Sequence, residues 1–422
     1  MQVNPRIAVI GLGYVGLPLS LALSRHFHVI GYDANDRRRE ELQSGIDSTG
    51  ETSADVLAEC DLKIADDLAD IRDCNIYIVT VPTPIDDKNT PDLTLIESAC
   101  QSIGGMLSAG DTVVFESTVY PGVTEDYCGP ILAEVSGLRC GDEFFLGYSP
   151  ERINPGDDRY SIEAVCKVVA GQTPEVAAIL RDIYSKAVPA GVHLAPSIKV
   201  AEAAKVIENA QRDINIAFIN EVAMIFQKMD IDTGAVLAAA RTKWNFLDFQ
   251  PGLVGGHCIG VDPYYLSHAA EQVGHNPEVI LAGRRINDAM SEFVADRIAS
   301  MVPKSARILV LGLAFKENVS DLRNSKVADL VRLMKSQGLS VTVHDARVDP
   351  EQAKQFYDIE VIRDFDQCQD FDAVVGAVAH HEYALLGKAA LLRMVRAEGL
   401  LADLKGIWRN YDFPPPIRYW QL

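Results

Sequence analysis

Apolar residues come in short runs separated by stretches of helical spacing, and the two kinds alternate along most of the chain. Arg6 to Ile10, RIAVI, has the length and content of a buried parallel strand. A glycine-rich turn follows, then the helical stretch LPLSLALSRH and a second strand, HVIGYD. Further strand candidates are NIYIVTVPTP to Pro84, DTVVFESTVYPG to Gly122 and FFLGYSPERINPG to Gly156. Each ends in a turn rich in Thr, Ser, Pro or Gly. From Ser197 to about Asp230 the chain keeps helical spacing without Pro or Gly, which predicts one long helix. Another helical segment is expected to run from the loop around residue 258 to about Met301. The opening pattern then partly repeats, with strands ARILVLGLAF, ending at Gly312, and SVTVHDARV, ending at Asp345. The closing FPPPIRYWQL reads as an irregular tail. Strands alternating with helices predict an α/β fold with parallel sheets.

The first turn, GLGYVG, sets Gly11, Gly13 and Gly16 in GxGxxG spacing around Tyr14 and Val15. Glycines there permit a tight turn, close approach of a pyrophosphate and close helix–strand packing, with the phosphates at the helix N-terminus. The spacing alone is a weak sign; the strand before it, the helix after it and the second strand make it specific. Asp33 ends that strand about 20 residues on, where an acid accepts hydrogen bonds from an adenosine ribose. A carboxylate repels a 2′-phosphate, so NAD is favoured over NADP, a preference that Arg37, Arg38 and Arg39 soften. Thr83, Thr118 and Glu151 fall beyond later strand ends, where open α/β sheets bind ligands.

On the long helix, Lys205 and Asn209 are spaced i, i+4 and share a face, with Arg212 one turn later. Such a polar stripe is ordinarily a solvated face, and carries chemistry if it lines a cleft. The turn of the second pattern lacks GxGxxG and instead holds Lys316, Arg323 and Lys326, cations suited to a phosphate-bearing substrate. The stretch GGHCIGVDP puts Cys258 in a turn, beside His257 and four residues before Asp262. Structural cysteines are usually buried in regular elements. This one is either an accident of a loop or a nucleophile.

Composition narrows the functions. The chain has 422 residues, 48% hydrophobic and 23% charged, a length that suggests two or three domains. A net charge of −20 argues against a nucleic-acid or anionic-membrane partner, which clusters of Lys and Arg would bind. The opening residues do not read as a signal peptide, and no apolar run reaches the roughly 18 residues that span a bilayer. The eight cysteines are scattered without CxxC pairs, so neither a zinc cluster nor a disulfide scaffold is expected. A cytoplasmic protein with free thiols and no metal fits this composition.

The motifs VIGLGYVGLPL, VPTP, STVYPG, SPERINPG, EAAKVIENAQRDINIAFINE, GGHCIGVDP and GLAFKENVSDLRNS occur in the order seen in the UDP-glucose/GDP-mannose dehydrogenase family. The resemblance covers nearly the whole chain. The stretch KWNFLDFQPGLVGGHCIGVDPYYL looks most like the branch that acts on UDP-N-acetylhexosamines in bacterial O-antigen and Vi-type polysaccharide pathways. It implies two Rossmann-like doubly wound domains joined by a long central helix that builds a homodimer interface. The divisions are an NAD-binding domain over residues 1–196, a helical region over 197–302 and a UDP-sugar-binding domain over 303–422.

The resemblance further implies oxidation of C6 of a nucleotide sugar from alcohol to acid, with NAD and without metal. Cys258 would attack the C6 aldehyde to give a thiohemiacetal, then a thioester that water hydrolyses. Lys205 and Asn209 would stabilise the oxyanion, Asp262 would move protons through water, and Thr118 and Glu151 would position water. The cofactor would be held by Gly11, Gly13, Tyr14, Val15, Gly16, Asp33, Arg38, Thr83, Thr118, Glu151 and Arg323. The sugar nucleotide would meet Glu151, Arg152, Ile153, Lys205, Asn209, Arg212, Gly252, Leu253, Val254, Gly255, Gly256 and Lys316. UDP-glucose and GDP-mannose enzymes often carry a lysine before the loop aspartate. Here Val261 stands there, and with His257 this points to UDP-GlcNAc or UDP-GalNAc. The same chemistry on UDP-ManNAc or UDP-glucose, a two-electron dehydrogenase, and a non-catalytic sensor of NAD and nucleotide sugar are the alternatives.

Overall fold

Continuous apolar runs build strands covered on both faces, and both halves of the chain are organised that way. The computed structural model describes residues 4–50, 52–152, 162–256 and 258–422. They divide into one unit of residues 1–208 with 264–275, and a second of residues 209–263 with 276–422.

In the first unit the strands are β1 (Arg6–Ile10), β2 (His28–Tyr32), β3 (Leu62–Ile64), β4 (Ile76–Val79), β5 (Thr112–Phe115), β6 (Phe145–Tyr148), β7 (Lys167–Gly171) and β8 (Val192–Leu194). They form one sheet in the order β3-β2-β1-β4-β5-β6-β7-β8, parallel except where β6 meets β7. Alternation along β1 sends Ile7 and Val9 to one face, against Leu17, Leu21 and Tyr184. Ala8 and Ile10 face the other way, toward Tyr77, Ile103 and Phe115. The helix Gly16–Ser24 is buried nearly all round, as its mostly apolar composition requires, and the Ser20 and Ser24 hydroxyls donate to carbonyls of the helix itself.

The second unit holds β9 (Arg307–Leu311), β10 (Ser340–His344), β11 (Val361–Ile362), β12 (Phe371–Gly376), β13 (Val395–Asp403) and β14 (Arg418–Gln421). Their order, β11-β10-β9-β12-β13-β14, matches β3-β2-β1-β4-β5-β6 of the first sheet, and every pairing is parallel. Ile308 and Val310 pack with Val294, Ile298 and Val331 on one face, and Leu309 and Leu311 with Tyr383, Leu401 and Trp408 on the other. Both sheets thus have the doubly wound dinucleotide-binding order. The expected α/β architecture with two Rossmann-like sheets and a long helix, Ile198–Met229, is what the structure shows.

Two local expectations change. The closing segment is not irregular: Arg418–Gln421 is the edge strand β14, and the Trp420 indole donates to Gln227 Oε1 at 3.0 Å. The prolines end before the strand begins, so they break nothing within it. The helical segment expected to run unbroken to Met301 is two helices, Asp262–Gln272 and Glu278–Met301. Gly274, at φ 78°, ends the first, and Pro277 caps the second. No helix among the described residues is long and apolar enough to cross a membrane.

Candidate active site

The glycine turn sits at the carboxyl end of β1. The Gly11 amide donates to the Tyr32 carbonyl at 2.8 Å with φ 95°, a conformation L side chains avoid. A Cβ on Gly16 would lie 1.8 Å from the Gly11 carbonyl oxygen, so the helix can start there only with glycine. Around Gly13 no atom lies within 4 Å of a built Cβ, leaving the turn open to a close ligand. This is the cradle a pyrophosphate requires. Asp33 is half-buried and accepts from the Leu12 amide at 2.8 Å and the Asn35 amide at 2.9 Å, which fixes its carboxylate beside the turn. Arg38 is buried beneath the turn: its Nε donates to the Leu12 carbonyl at 2.9 Å and it pairs with Asp47 at 2.7 Å.

Other strand ends of the first sheet carry Thr83, Thr118 and Glu151, and the first two are bonded. The Thr83 hydroxyl donates to the Thr118 carbonyl at 2.7 Å, and the Tyr265 hydroxyl donates to the Thr83 carbonyl at 2.9 Å. Glu202 braces the segment after Thr118, accepting from the Gly122 amide at 2.6 Å and the Thr124 amide at 2.9 Å. Glu202 is buried, and burial raises its carboxyl above the ordinary range against those two bonds. One turn further along the same helix is Lys205, buried, whose carbonyl accepts from Arg152 at 2.9 Å. Arg152 also pairs with Glu208. Ile153 and His257 lie outside the described residues.

In the second unit Asn209 and Asp262, 2% and 3% exposed, are joined by a hydrogen bond from the Asn209 amide to Asp262 Oδ2 at 2.6 Å. Cys258 is exposed, and its carbonyl accepts from the Asp262 amide at 2.9 Å, so thiol and acid belong to one turn. The glycines before it are there because the loop backs onto the chain at Asn324. The Gly256 amide donates to the Asn324 carbonyl at 3.1 Å, and Asn324 Nδ2 returns a bond to the Gly256 carbonyl at 2.9 Å. A Cβ on Gly255 would lie 2.6 Å from the Asn324 carbonyl oxygen, and Gly256 has φ 81°. Upstream, Gly252 is clamped by Asn220 through bonds of 2.8 and 3.0 Å.

A cavity in this unit is lined by Leu253, Gly255, Phe315, Lys316, Lys326 and Lys405, among others. Lys326 is held by Asp288 at 3.1 Å and Asp329 at 3.3 Å. The structure thus brings Leu253 and Gly255 together with Lys316. Arg323 pairs with Asp321 at 2.8 Å, and Arg212 is exposed while Asn209 on the same helix is buried. The sequence reading missed Lys405, just past Asp403 at the end of β13, which the logic of strand ends could have found. It also missed Glu116 and Lys167, whose signal is faint: a charge directly abutting an apolar strand.

A glycine turn built for a pyrophosphate, a second sheet of the same order with a lysine-lined cavity, and a thiol in a fixed turn define a nucleotide-binding enzyme of the dehydrogenase type. Comparison with known proteins agrees. Sequence models of the UDP-glucose/GDP-mannose dehydrogenase family match residues 5–188 as the NAD binding domain, 199–289 as the central domain and 309–410 as the UDP binding domain. Protein CapL of Staphylococcus aureus is 49% identical, over 99% of this chain and all of that protein. The UDP-N-acetyl-D-glucosamine 6-dehydrogenase of Pseudomonas aeruginosa is 50% identical, over 95% of this chain and 96% of its own. Among solved structures, the UDP-D-ManNAc dehydrogenase of Pyrococcus horikoshii superposes with a TM-score of 0.87 at 29% identity, covering 99% of this chain and 98% of its own. The chain belongs to the UDP-glucose/GDP-mannose dehydrogenase family. It is an oxidoreductase whose cofactor is NAD, as the sequence led us to expect.

Proposed function

We propose that the protein oxidises C6 of a UDP-N-acetylhexosamine, UDP-GlcNAc or UDP-GalNAc, from alcohol to acid for surface polysaccharide synthesis in the cytoplasm. The observation that carries this is the turn in which exposed Cys258 precedes Asp262, itself buried and bonded to Asn209. Identity near half to relatives that include a UDP-N-acetyl-D-glucosamine 6-dehydrogenase supports the choice of sugar. Residues 1–196, 197–302 and 303–422 would serve as NAD-binding, helical and UDP-sugar-binding segments.

NAD, when bound at the glycine turn, supplies the hydride acceptor. Lys205 and Asn209 hold the C6 oxygen and stabilise the charge that develops there. Loss of a first hydride from C6, with the hydroxyl proton, gives the aldehyde. The Cys258 thiolate adds to its carbon and the oxygen takes up a proton, giving a thiohemiacetal. Loss of a second hydride from that carbon, for which a second equivalent of NAD is needed, together with the hydroxyl proton leaves a thioester. Attack by water releases the acid and restores the thiol. Asp262 takes up protons through water on this side. Thr118 and Glu151 orient the hydrolytic water. Lys316 holds the sugar nucleotide.

The protein is also proposed to act as a homodimer. Val200, Ile207, Phe218, Ile225 and Met229 of the long helix are 46–58% exposed. They follow one another at steps of seven, eleven, seven and four residues, each near a whole number of turns at about 3.6 residues per turn. Such an apolar stripe is what a second copy of the helix would cover. Phe218→Glu is expected to halve the mass in light scattering; an unchanged mass refutes the role of the stripe.

The deciding experiment counts NADH released per sugar from limiting UDP-GlcNAc, UDP-GalNAc, UDP-ManNAc and UDP-glucose. Two NADH from an N-acetylhexosamine, stalled in Cys258→Ala, is the expected result. One NADH, indifferent to the substitution, would remove the nucleophile from the mechanism, and no turnover of any sugar would favour a sensor.

A further inference from the structure

A buried group of charges stands behind Glu151 and takes no part in the chemistry above. Lys167 opens β7, and its ammonium donates to Glu116 Oε2 at 2.8 Å, to Glu151 Oε2 at 2.7 Å and, more weakly, to the Pro150 carbonyl at 3.4 Å. Glu116 directly follows β5, and its other oxygen accepts from the Tyr184 hydroxyl at 2.5 Å. The Lys167 ammonium also lies 5.4 Å from the centre of the Tyr184 ring. The second oxygen of Glu151 accepts from the Arg152 amide at 2.5 Å. A lysine buried between carboxylates pays a desolvation penalty that apolar side chains of similar volume avoid, so stability by itself does not account for the arrangement.

We propose that Lys167 and Glu116 are positioning residues for Glu151: Lys167 fixes the orientation of its carboxylate, and the charge on Glu116 governs how strongly Lys167 holds it. The proposal rests on the reading of Glu151 as the group that orients the hydrolytic water. With Glu116 ionised, the ammonium is shared between two carboxylates, and Glu151 is the freer to draw a proton from water. With Glu116 protonated, the ammonium turns its charge to Glu151 and weakens it as an acceptor.

Among the described residues, the titratable groups facing Glu116 are Lys167 from β7, Tyr184 from the helix Pro174–Ala187, and Glu151 from the segment after β6. Burial pushes the Glu116 carboxyl up to about 7, against the pull of the Lys167 ammonium. Burial works to lower Lys167, yet the charges of Glu116 and Glu151 outweigh it and hold the amine above its ordinary range. The lysine therefore stays charged while Glu116 changes state near neutral pH. The rate of thioester hydrolysis would follow a carboxylate that never touches the substrate.

The test measures kcat and both KM values against pH for Glu116→Gln, Lys167→Met and Lys167→Arg, with intact-mass detection of an acyl group on Cys258. Glu116→Gln keeps the shape and mimics the protonated state. It is expected to lower kcat about tenfold and flatten the rise of rate with pH through neutrality. KM for NAD and sugar should stay within about twofold, and the thioester should accumulate. Lys167→Met is expected to lose about 100-fold in kcat, partly restored in Lys167→Arg, which keeps the charge. A Glu116→Gln enzyme with the wild-type pH profile, or Lys167 variants of unchanged kcat, overturns the proposal while the dehydrogenase reading stands. A wild-type protein that releases no NADH from any of the sugars overturns both.

Discussion

The two sheets begin with the same backbone and end with different chemistry. Gly11 and Gly312 have φ 95° and 97°, and each amide donates at 2.8 Å to the residue ending the next strand, Tyr32 or His344. Leu12 and Leu313 then donate to Asp33 and Asp345, at 2.8 and 2.6 Å. After that they part. In the first unit the chain enters a helix at Gly16, and half-buried Asp33 stands beside a turn open to a ligand. In the second the helix waits until Lys326, and the intervening loop carries Lys316 into a cavity. Asp345 is sealed, accepting also from the Ala314 amide at 3.1 Å and meeting His380 Nε2 at 3.2 Å. Burial works against the charge of Asp345, but these bonds hold the carboxyl at about 2. In the first scaffold the acid thus stands beside an open turn, and in the second it is closed against backbone amides and His380 while lysines line the cavity.

The strongest challenge to that contrast is Gly16→Ala. Its Cβ would clash with backbone at 1.8 Å, so the first unit should lose about 3 kcal/mol or more in a urea melt. NADH fluorescence titration should show at least a 100-fold weaker complex, roughly 3 kcal/mol of binding.

Next come the paired acids. Asp345→Asn removes a buried charge that satisfies four amides and His380, and is expected to cost about 2–4 kcal/mol of stability with NAD affinity unchanged. Asp33→Asn should do the reverse, weakening NAD about tenfold and shifting stability by less than about 1 kcal/mol. If the two behave alike in melts and titrations, the division of labour fails.

Lys405→Met, in the cavity of the second unit, is expected to raise KM for the nucleotide sugar about tenfold, with KM for NAD constant. Steady-state kinetics at two ionic strengths would show it, because the lost contact is the salt-sensitive one.

The last effect is on stability against pH, with opposite signs in the two units. Asp345 has its folded value depressed, so its contribution is complete above the ordinary aspartate range and fades as pH falls toward 2, about 2 kcal/mol in all. Glu116 has its folded value raised, so its contribution is complete below the ordinary glutamate range and fades as pH rises through about 7. Hydrogen exchange followed separately in β5 and β10 should show protection moving in opposite directions.

Much of this was legible in the chain. The apolar run RIAVI, the spacing of Gly11, Gly13 and Gly16, and the absence of Pro and Gly after Ser197 foretold β1, its turn and the long helix, because each depends on neighbours in sequence. The edge strand at Arg418–Gln421 was not legible, since its pairing partner, β13, is fixed by the sheet and the prolines before it mask the signal. Composition marks Arg38 as one of three arginines, and the resemblance singles it out for the cofactor. That its guanidinium lies under the turn, bonded to Leu12 and Asp47, depends on packing.

Residue order by itself therefore determined β1, its turn and the long helix, the order of the motifs, the family and the thiol worth asking about, since strand, helix and turn preferences act over a few residues. Only the tertiary structure decided which charges are buried and what they meet. It bonded Asp262 to Asn209, closed Asp345 against His380, and set Lys167 between Glu116 and Glu151. The physical reason is that a charge acquires its strength from the dielectric and partners around it, and those come from segments far apart in the chain.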